Sequence, residues 1–254
     1  MALLEILNLS KSFGGLKAVN EVSFNVEKGM IKAVIGPNGA GKTTLFNLIS
    51  GMLASDAGDI RFEGTPVIRM PAHLRAGLGI ARTFQNIKLF PRMSVLENVM
   101  VGYHTRSRSG FLPGMLALPF ARREEKEIRA RALEKLSLFG LAGASGMPAA
   151  SLPFGSQRGV EMARALIMEP KLLMLDEPAA GLNIHETRAL AGRIAGINAS
   201  GVTVLIVEHD MSLVMDISHE IAVLNYGGLI AQGPPREIQR NGEVIRIYLG
   251  EDHA

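Results

Sequence analysis

The chain has 254 residues, no Cys and no Trp, and its 27 basic against 24 acidic side chains give a net charge of +3. With 47% hydrophobic and 20% charged residues, the composition is that of a globular chain of one large domain or a core with a lobe; disulfides, thiolate catalysis and Cys-ligated metals are excluded. The weak basic balance and the 5% aromatic content argue against a nucleic-acid partner. No apolar run approaches the roughly 20 residues of a membrane span. The stretch Met1–Glu5 has no basic leader region, so a cytoplasmic protein is expected.

Short β-branched runs alternate with helical patterns, which predicts an α/β fold with a largely parallel sheet. Val19–Val26 alternates as a half-buried strand does, with a turn at Lys28-Gly29. Ile31–Ile35 reads as a central strand covered on both faces. A helix is predicted from Lys42 or Thr43 to about Ser50, stopped by Gly51. Ile60–Glu63 with Gly64 predicts an antiparallel edge hairpin. From about Phe90 to Pro153 the pattern is mostly helical, with a Gly- and Pro-rich loop at Ser107–Pro119. Arg122–Leu138 is a charged helix there, with an apolar stripe of Ile128, Leu133 and Leu136. The region reads as a helical lobe inserted into an α/β core. Leu172–Leu175 and Val202–Val207 are further buried strands; Ile221–Asn225 and Leu229–Ala231 form a hairpin through Tyr226-Gly227-Gly228, and Glu243–Leu249 is a terminal helix.

Gly36-Pro37-Asn38-Gly39-Ala40-Gly41-Lys42-Thr43 matches G-x-x-x-x-G-K-[ST], between a predicted strand and a predicted helix. The glycines let backbone N–H groups turn inward onto phosphate oxygens, and the helix adds its positive dipole end. Lys42 is expected to reach the β- and γ-phosphates, Thr43 to coordinate Mg²⁺ and Thr44 to hold a neighbouring phosphate. The loop alone implies a nucleoside triphosphate and leaves a transporter ATPase, a GTPase, a kinase and a helicase open. Asp176 and Glu177 stand at the C-terminal end of a buried strand, where open α/β sheets gather ligands. Asp176 suits a second Mg²⁺ contact and Glu177 a general base for the attacking water, strand alternation pointing the two acids apart. His209 follows the next strand, within reach of the γ-phosphate.

Together these residues resemble the ATP-binding subunit of an ABC transporter, over nearly the whole chain. Leu152-Pro153-Phe154-Gly155-Ser156-Gln157-Arg158 occupies the signature position, Gly155 lying 21 residues (176 − 155) before Asp176. Gln85 matches the Q-loop, Ala179–Asn183 the D-loop, His209 the H-loop, and Phe13 the A-loop aromatic. The resemblance implies a P-loop ABC-type ATPase core with an antiparallel β edge region (1–89 and 154–254) and an inserted helical lobe (about 90–153). It implies that Phe13 stacks on adenine and that Gln85 senses Mg²⁺ and joins core to lobe. Two nucleotide domains, self or paralogue, are implied to close head-to-tail around two ATP molecules. Gly155 would then reach the nucleotide of the partner, from a helix running to about Met168 whose buried stripe is Val160, Ala163 and Ile167.

Arg82–Asn86, Ser94–Asn98, Asp176–Asn183 and Val244–Glu251 further resemble the branch that powers high-affinity branched-chain amino acid uptake. By that resemblance the partners are two membrane permease subunits and, indirectly, a periplasmic or extracellular solute-binding protein, with the chain peripheral on the cytoplasmic face of the membrane. Pro153, Phe154, Ser156, Asn183 and Ile184 depart from the wider family pattern. Other readings are a soluble ABC-type ATPase acting on ribosomes or DNA, and a nucleotide-dependent regulator without turnover.

Overall fold

The computed structural model describes residues 2–106 and 119–249. The chain opens with a long antiparallel hairpin, β1 (Ala2–Phe13) and β2 (Leu16–Glu27). The sequence pattern does not announce β1. Asn8 takes a left-handed φ of 45° and the pairing slips between Ile6 and Leu9, which breaks the period-two alternation as a bulge does. After β3 (Ile31–Ile35) and α1 (Lys42–Ile49) the chain returns as β4 (Ala57–Phe62) beside β1, and β5 (Thr65–Pro66) completes a four-stranded antiparallel sheet, β2-β1-β4-β5. The β4–β5 turn is the edge hairpin expected at Gly64. A short helix that the sequence reading lacks, α2 (Ala72–Leu78), carries Arg75. Its buried guanidinium donates to the carbonyls of Leu48 and Ile49, satisfying the C-terminal end of α1.

Among the described residues the second sheet holds six strands. β6 (Ile80–Arg82), β7 (Leu172–Asp176), β8 (Thr203–Val207), β9 (Glu220–Asn225) and β10 (Gly228–Gly233) join β3 in the order β10-β9-β3-β8-β7-β6. All pairings are parallel except the β9–β10 hairpin. β3, β7 and β8 are buried at every position, as strands covered on both faces are. Three-residue β6 escapes the sequence reading because it is too short to show a period.

Between β6 and β7 the described regular elements are helical: α3 (Val95–Val101), α4 (Pro119–Ser137), α5 (Phe154–Leu166) and short 3₁₀ turns. Ser94 and Glu97 close a capping box on α3. α3, α4 and α5 pack on one another; Leu136 is fully buried, while Ile128 and Leu133 are half-buried. Of the expected loop at Ser107–Pro119, residues 107–118 lie outside the described residues and Pro119 begins α4. On α5 the expected stripe is buried, Val160 and Ala163 within the helix and Ile167 at its end. α6 (Ile184–Ala199), α7 (Met211–Ile217), α8 (Pro235–Ile238) and α9 (Gly242–Leu249) are the remaining helices among the described residues.

The site follows from the topology. β8 lies between β3 and β7 and runs parallel to both, so the loop after β3, the acids at the end of β7 and the histidine after β8 meet at one sheet edge.

Candidate nucleotide site

Beyond Ile35 the chain curls through three glycines, two of which leave no room for a side chain. A Cβ on Gly36, at φ 152°, would stand 2.2 Å from the Leu224 carbonyl oxygen, and one on Gly41, at φ 99°, 2.1 Å from that of Ala18. Close backbone approach, more than flexibility, fixes these two positions. The curl delivers Lys42 to the first turn of α1, where its buried ammonium donates to the carbonyls of Gly36 (2.7 Å) and Pro37 (2.9 Å). Burial pushes the Lys42 ammonium below the ordinary lysine range, while Glu177 and Asp176 pull it back up.

Asn38, Gly39, Ala40, Gly41, Lys42, Thr43 and Thr44 line a cleft of about 470 Å³. Its other walls carry Phe13, Leu16, Lys17 and Ala18 from the antiparallel sheet, and Gln85, Glu177, His209 and Tyr226 from the edge of the parallel one. Phe13 is half-exposed there, with the Lys11 ammonium 5.7 Å from its ring centre.

The two acids divide for a reason other than strand alternation. Asp176 is the last residue of β7, buried, and its carboxylate takes Arg82 at 2.8 Å. Arg82 also donates to Asn47 and Ser50, tying the acidic strand to α1. Glu177 turns out of the strand in a left-handed conformation, φ 47°, its N–H held by the Val207 carbonyl at 2.9 Å. That turn aims its carboxylate into the cleft, Oε1 lying 2.8 Å from His209 Nε2 and Oε2 accepting from Gln85 Nε2 at 2.8 Å. Strained backbone at such a position is common where chemistry is done.

Behind these groups lie residues that the sequence reading did not single out. The buried Glu208 carboxylate accepts the N–H groups of Ala179, His209 and Asp210, so one side chain holds the segment after Glu177 and the histidine loop together. Burial pushes its carboxyl above the usual range against those three donors. Arg158 and Glu161, three apart on α5 and both buried, form a 3.0 Å ion pair. Arg158 also donates to the carbonyls of Phe84 (2.7 Å) and Gln85 (2.9 Å), fixing the base of the Gln85 segment.

Gly155 stands apart from the cleft. It sits in the first turn of α5 against Leu182 and Glu186, where a Cβ would meet Glu186 Oε1 at 3.0 Å. The neighbouring Phe154 ring covers Gly181, and a Cβ there would lie 3.1 Å from the ring. Asn183, a departure in the sequence comparison, caps α6: its side-chain oxygen accepts from the N–H groups of His185 and Glu186, both at 3.0 Å.

The family described as ABC transporter matches residues 19–180, across the phosphate loop, Gln85, the signature region and both acids. The chain belongs to this ABC transporter family. A second family, described as branched-chain amino acid ATP-binding cassette transporter, matches residues 229–254. The chain is 44% identical over 250 residues to the high-affinity branched-chain amino acid transport ATP-binding protein BraF of Pseudomonas aeruginosa, covering 98% of each. It is 43% identical, with the same coverage, to the transport ATP-binding protein LivG of Escherichia coli K12. Among solved structures, a nucleotide-free ATP-binding cassette from an ABC transporter superposes with a TM-score of 0.86 at 31% identity, covering 99% of this chain and 100% of that one. The protein is therefore an ABC ATP-binding subunit, an ATPase of the kind that powers transport. Among the described residues no helix is long and apolar enough to cross a membrane.

Proposed function

We propose that this chain hydrolyses ATP in the cleft between the two sheets to drive high-affinity uptake of leucine, isoleucine and valine. The observation that carries the chemistry is the placement of Glu177, held between His209 and Gln85 on the wall that faces the phosphate loop. The substrate assignment rests on the likeness to branched-chain amino acid transport ATP-binding proteins over nearly the whole chain.

The loop N–H groups and Lys42 bind the phosphates. Glu177 takes a proton from water as the water oxygen bonds to the γ-phosphorus and the bond from phosphorus to the β–γ bridging oxygen breaks, giving ADP and phosphate. His209 holds the Glu177 carboxylate in place, and Gln85 reports its position to the segment that leads into the helical lobe. Mg²⁺ would be held by the Thr43 hydroxyl and the Gln85 amide oxygen, hard donors on the cleft wall, with the buried Asp176 carboxylate, which Arg82 engages, behind them. When bound it supplies charge neutralisation to the phosphates. Phe13 stacks on adenine. Gly155, remote from this cleft, serves the nucleotide of a second ATPase subunit, self or paralogue, in a head-to-tail pair. Two permease subunits and an extracytoplasmic solute-binding protein complete the transporter, with this chain on the cytoplasmic face of the membrane.

Light scattering of purified Glu177→Gln with ATP and Mg²⁺ is expected to show a dimer that disperses without nucleotide. Deletion of the chain is expected to abolish uptake of the three amino acids. Unchanged uptake with loss of a different solute overturns the substrate, and a Lys42→Ala variant with undiminished ATP affinity overturns the site.

A further inference from the structure

The β9–β10 connection is a two-residue turn, with Asn225 paired to Gly228 across it. Both turn residues are left-handed, Tyr226 at φ 44° and Gly227 at φ 80°. Such turns favour Asn or Gly at the first position, and a bulky aromatic is a poor fit there. Packing does not explain the tyrosine either. Tyr226 is 88% exposed and belongs to neither hydrophobic core. Backbone preference thus opposes this residue, and the fold gains nothing from its ring.

The position of the turn supplies the reason. The Gly227 N–H donates to the Ala40 carbonyl of the phosphate loop (3.2 Å), and the Gly227 carbonyl accepts from the Asn20 N–H (2.8 Å). A Cβ on Gly227 would stand 2.8 Å from the Lys17 carbonyl, so the turn is clamped between the loop and β2. Tyr226 therefore projects from a rigid mount at a fixed place beside the phosphate site, and it lines the same cleft as Phe13. An aromatic face costs little ordering entropy when its backbone is already fixed, and stacking on a base is one of the few returns a solvent-facing ring can give.

We propose that Tyr226 is a nucleotide-binding residue, giving the nucleoside end of ATP and ADP an aromatic contact in addition to Phe13. The proposal rests on the cleft being the nucleotide site. Tyr226→Asn tests it well, because that substitution places a turn-favoured residue at φ 44° and preserves the fold. Binding of ADP and of inorganic tripolyphosphate, which has no base, is measured by calorimetry on wild type, Tyr226→Asn and Tyr226→Phe, with Lys42→Ala as control. Tyr226→Asn is expected to weaken ADP by about fivefold to a hundredfold, the range of single aromatic–base contacts. Tripolyphosphate affinity and the melting temperature of the free protein should not fall, and Tyr226→Phe should bind ADP nearly as wild type does. Unchanged ADP affinity in Tyr226→Asn overturns the proposal and leaves the cleft assignment standing. Equal weakening of ADP and tripolyphosphate overturns it in favour of an effect through the loop. Loss of ATP-dependent dimerisation alone, with ADP affinity intact, overturns it in favour of a protein contact. A wild-type chain that binds neither ligand, or a Lys42→Ala chain that binds both as well as wild type, overturns the cleft assignment and this proposal with it.

Discussion

Arg158 is the place to test whether the Gln85 segment is held by charge. Its side chain is 1% exposed, Glu161 beside it is 2% exposed, and the pair is 3.0 Å apart. Arg158→Met removes the nearer cation and leaves Glu161 buried with only the longer contact to Arg164 at 3.9 Å and the Phe84 N–H. Breaking one partner of such a pair costs about 3–5 kcal/mol. For a chain of this size that is a fall in melting temperature on the order of 10 °C. Burial already pushes the Glu161 carboxyl up, against the pull of Arg158 and, more weakly, of the Phe84 N–H and Arg164. Removing Arg158 raises it further, so the native state of the variant holds the Glu161 proton more tightly than the unfolded chain does. Its stability is therefore lost as pH rises from the unfolded carboxyl range through the raised folded value. Urea denaturation should show Arg158→Met closer to wild type at pH 5.5 than at pH 8. Arg158→Met with Glu161→Met removes the stranded charge, so it should regain much of the loss at pH 8 and lose the added pH dependence. ATPase turnover should stay low even in the double variant, because the Phe84 and Gln85 carbonyls have lost their donor. A double variant no more stable at pH 8 than the single one, or a deficit that ignores pH, refutes the electrostatic argument.

Glu177→Gln should keep nucleotide affinity and lose about 10²–10⁴-fold in turnover, read by phosphate release, because the proton acceptor is gone. Gly41→Ala should abolish nucleotide binding in a titration, since its Cβ would lie 2.1 Å from the Ala18 carbonyl oxygen. Gly192→Ala, on an exposed face of α6 with nothing within 4 Å of the new Cβ, should instead stabilise the fold by about 0.4–1 kcal/mol in urea melts. Asn183→Ala should cost about 1 kcal/mol through the lost cap on α6, measured the same way.

What was legible in the sequence is what is contiguous in it. The phosphate loop, Glu177 and His209 each come after a five-residue buried strand, Asp176 ends one, and their meeting at one edge follows from parallel pairing. The supports were hidden because their partners are remote. Arg82 meets Asp176 across 94 residues, and Arg158 meets the Gln85 carbonyl across 73. On a sequence, Arg158 and Glu161 look like an ordinary surface pair; the apolar Val160 and Met162 around them were the available signal that this stretch of helix is buried. Glu208 gave no signal, since an acid after a strand is usually solvated. The direction of Glu177 comes from its left-handed φ and not from strand alternation, and such a φ at a glutamate has no local signature. β1 was missed because its bulge at Asn8 interrupts the alternation.

The strand order also governs when the site can exist during synthesis. β3, which carries the phosphate loop, pairs on one side with β8 and on the other with β9, residues 203–207 and 220–225. A growing chain thus holds a complete phosphate-loop sequence from residue 43 onward with no strand beside it. The two neighbours arrive only with the last fifth of the polypeptide. Until then the mostly apolar strand Ile31–Ile35 is unpaired on both edges, a stretch that chaperones and misfolding compete for. Nucleotide cannot assist the early steps, because there is no cleft to receive it. A fragment ending near Ser200 should therefore be both inert and aggregation-prone, although it contains every residue of the phosphate loop and both acids.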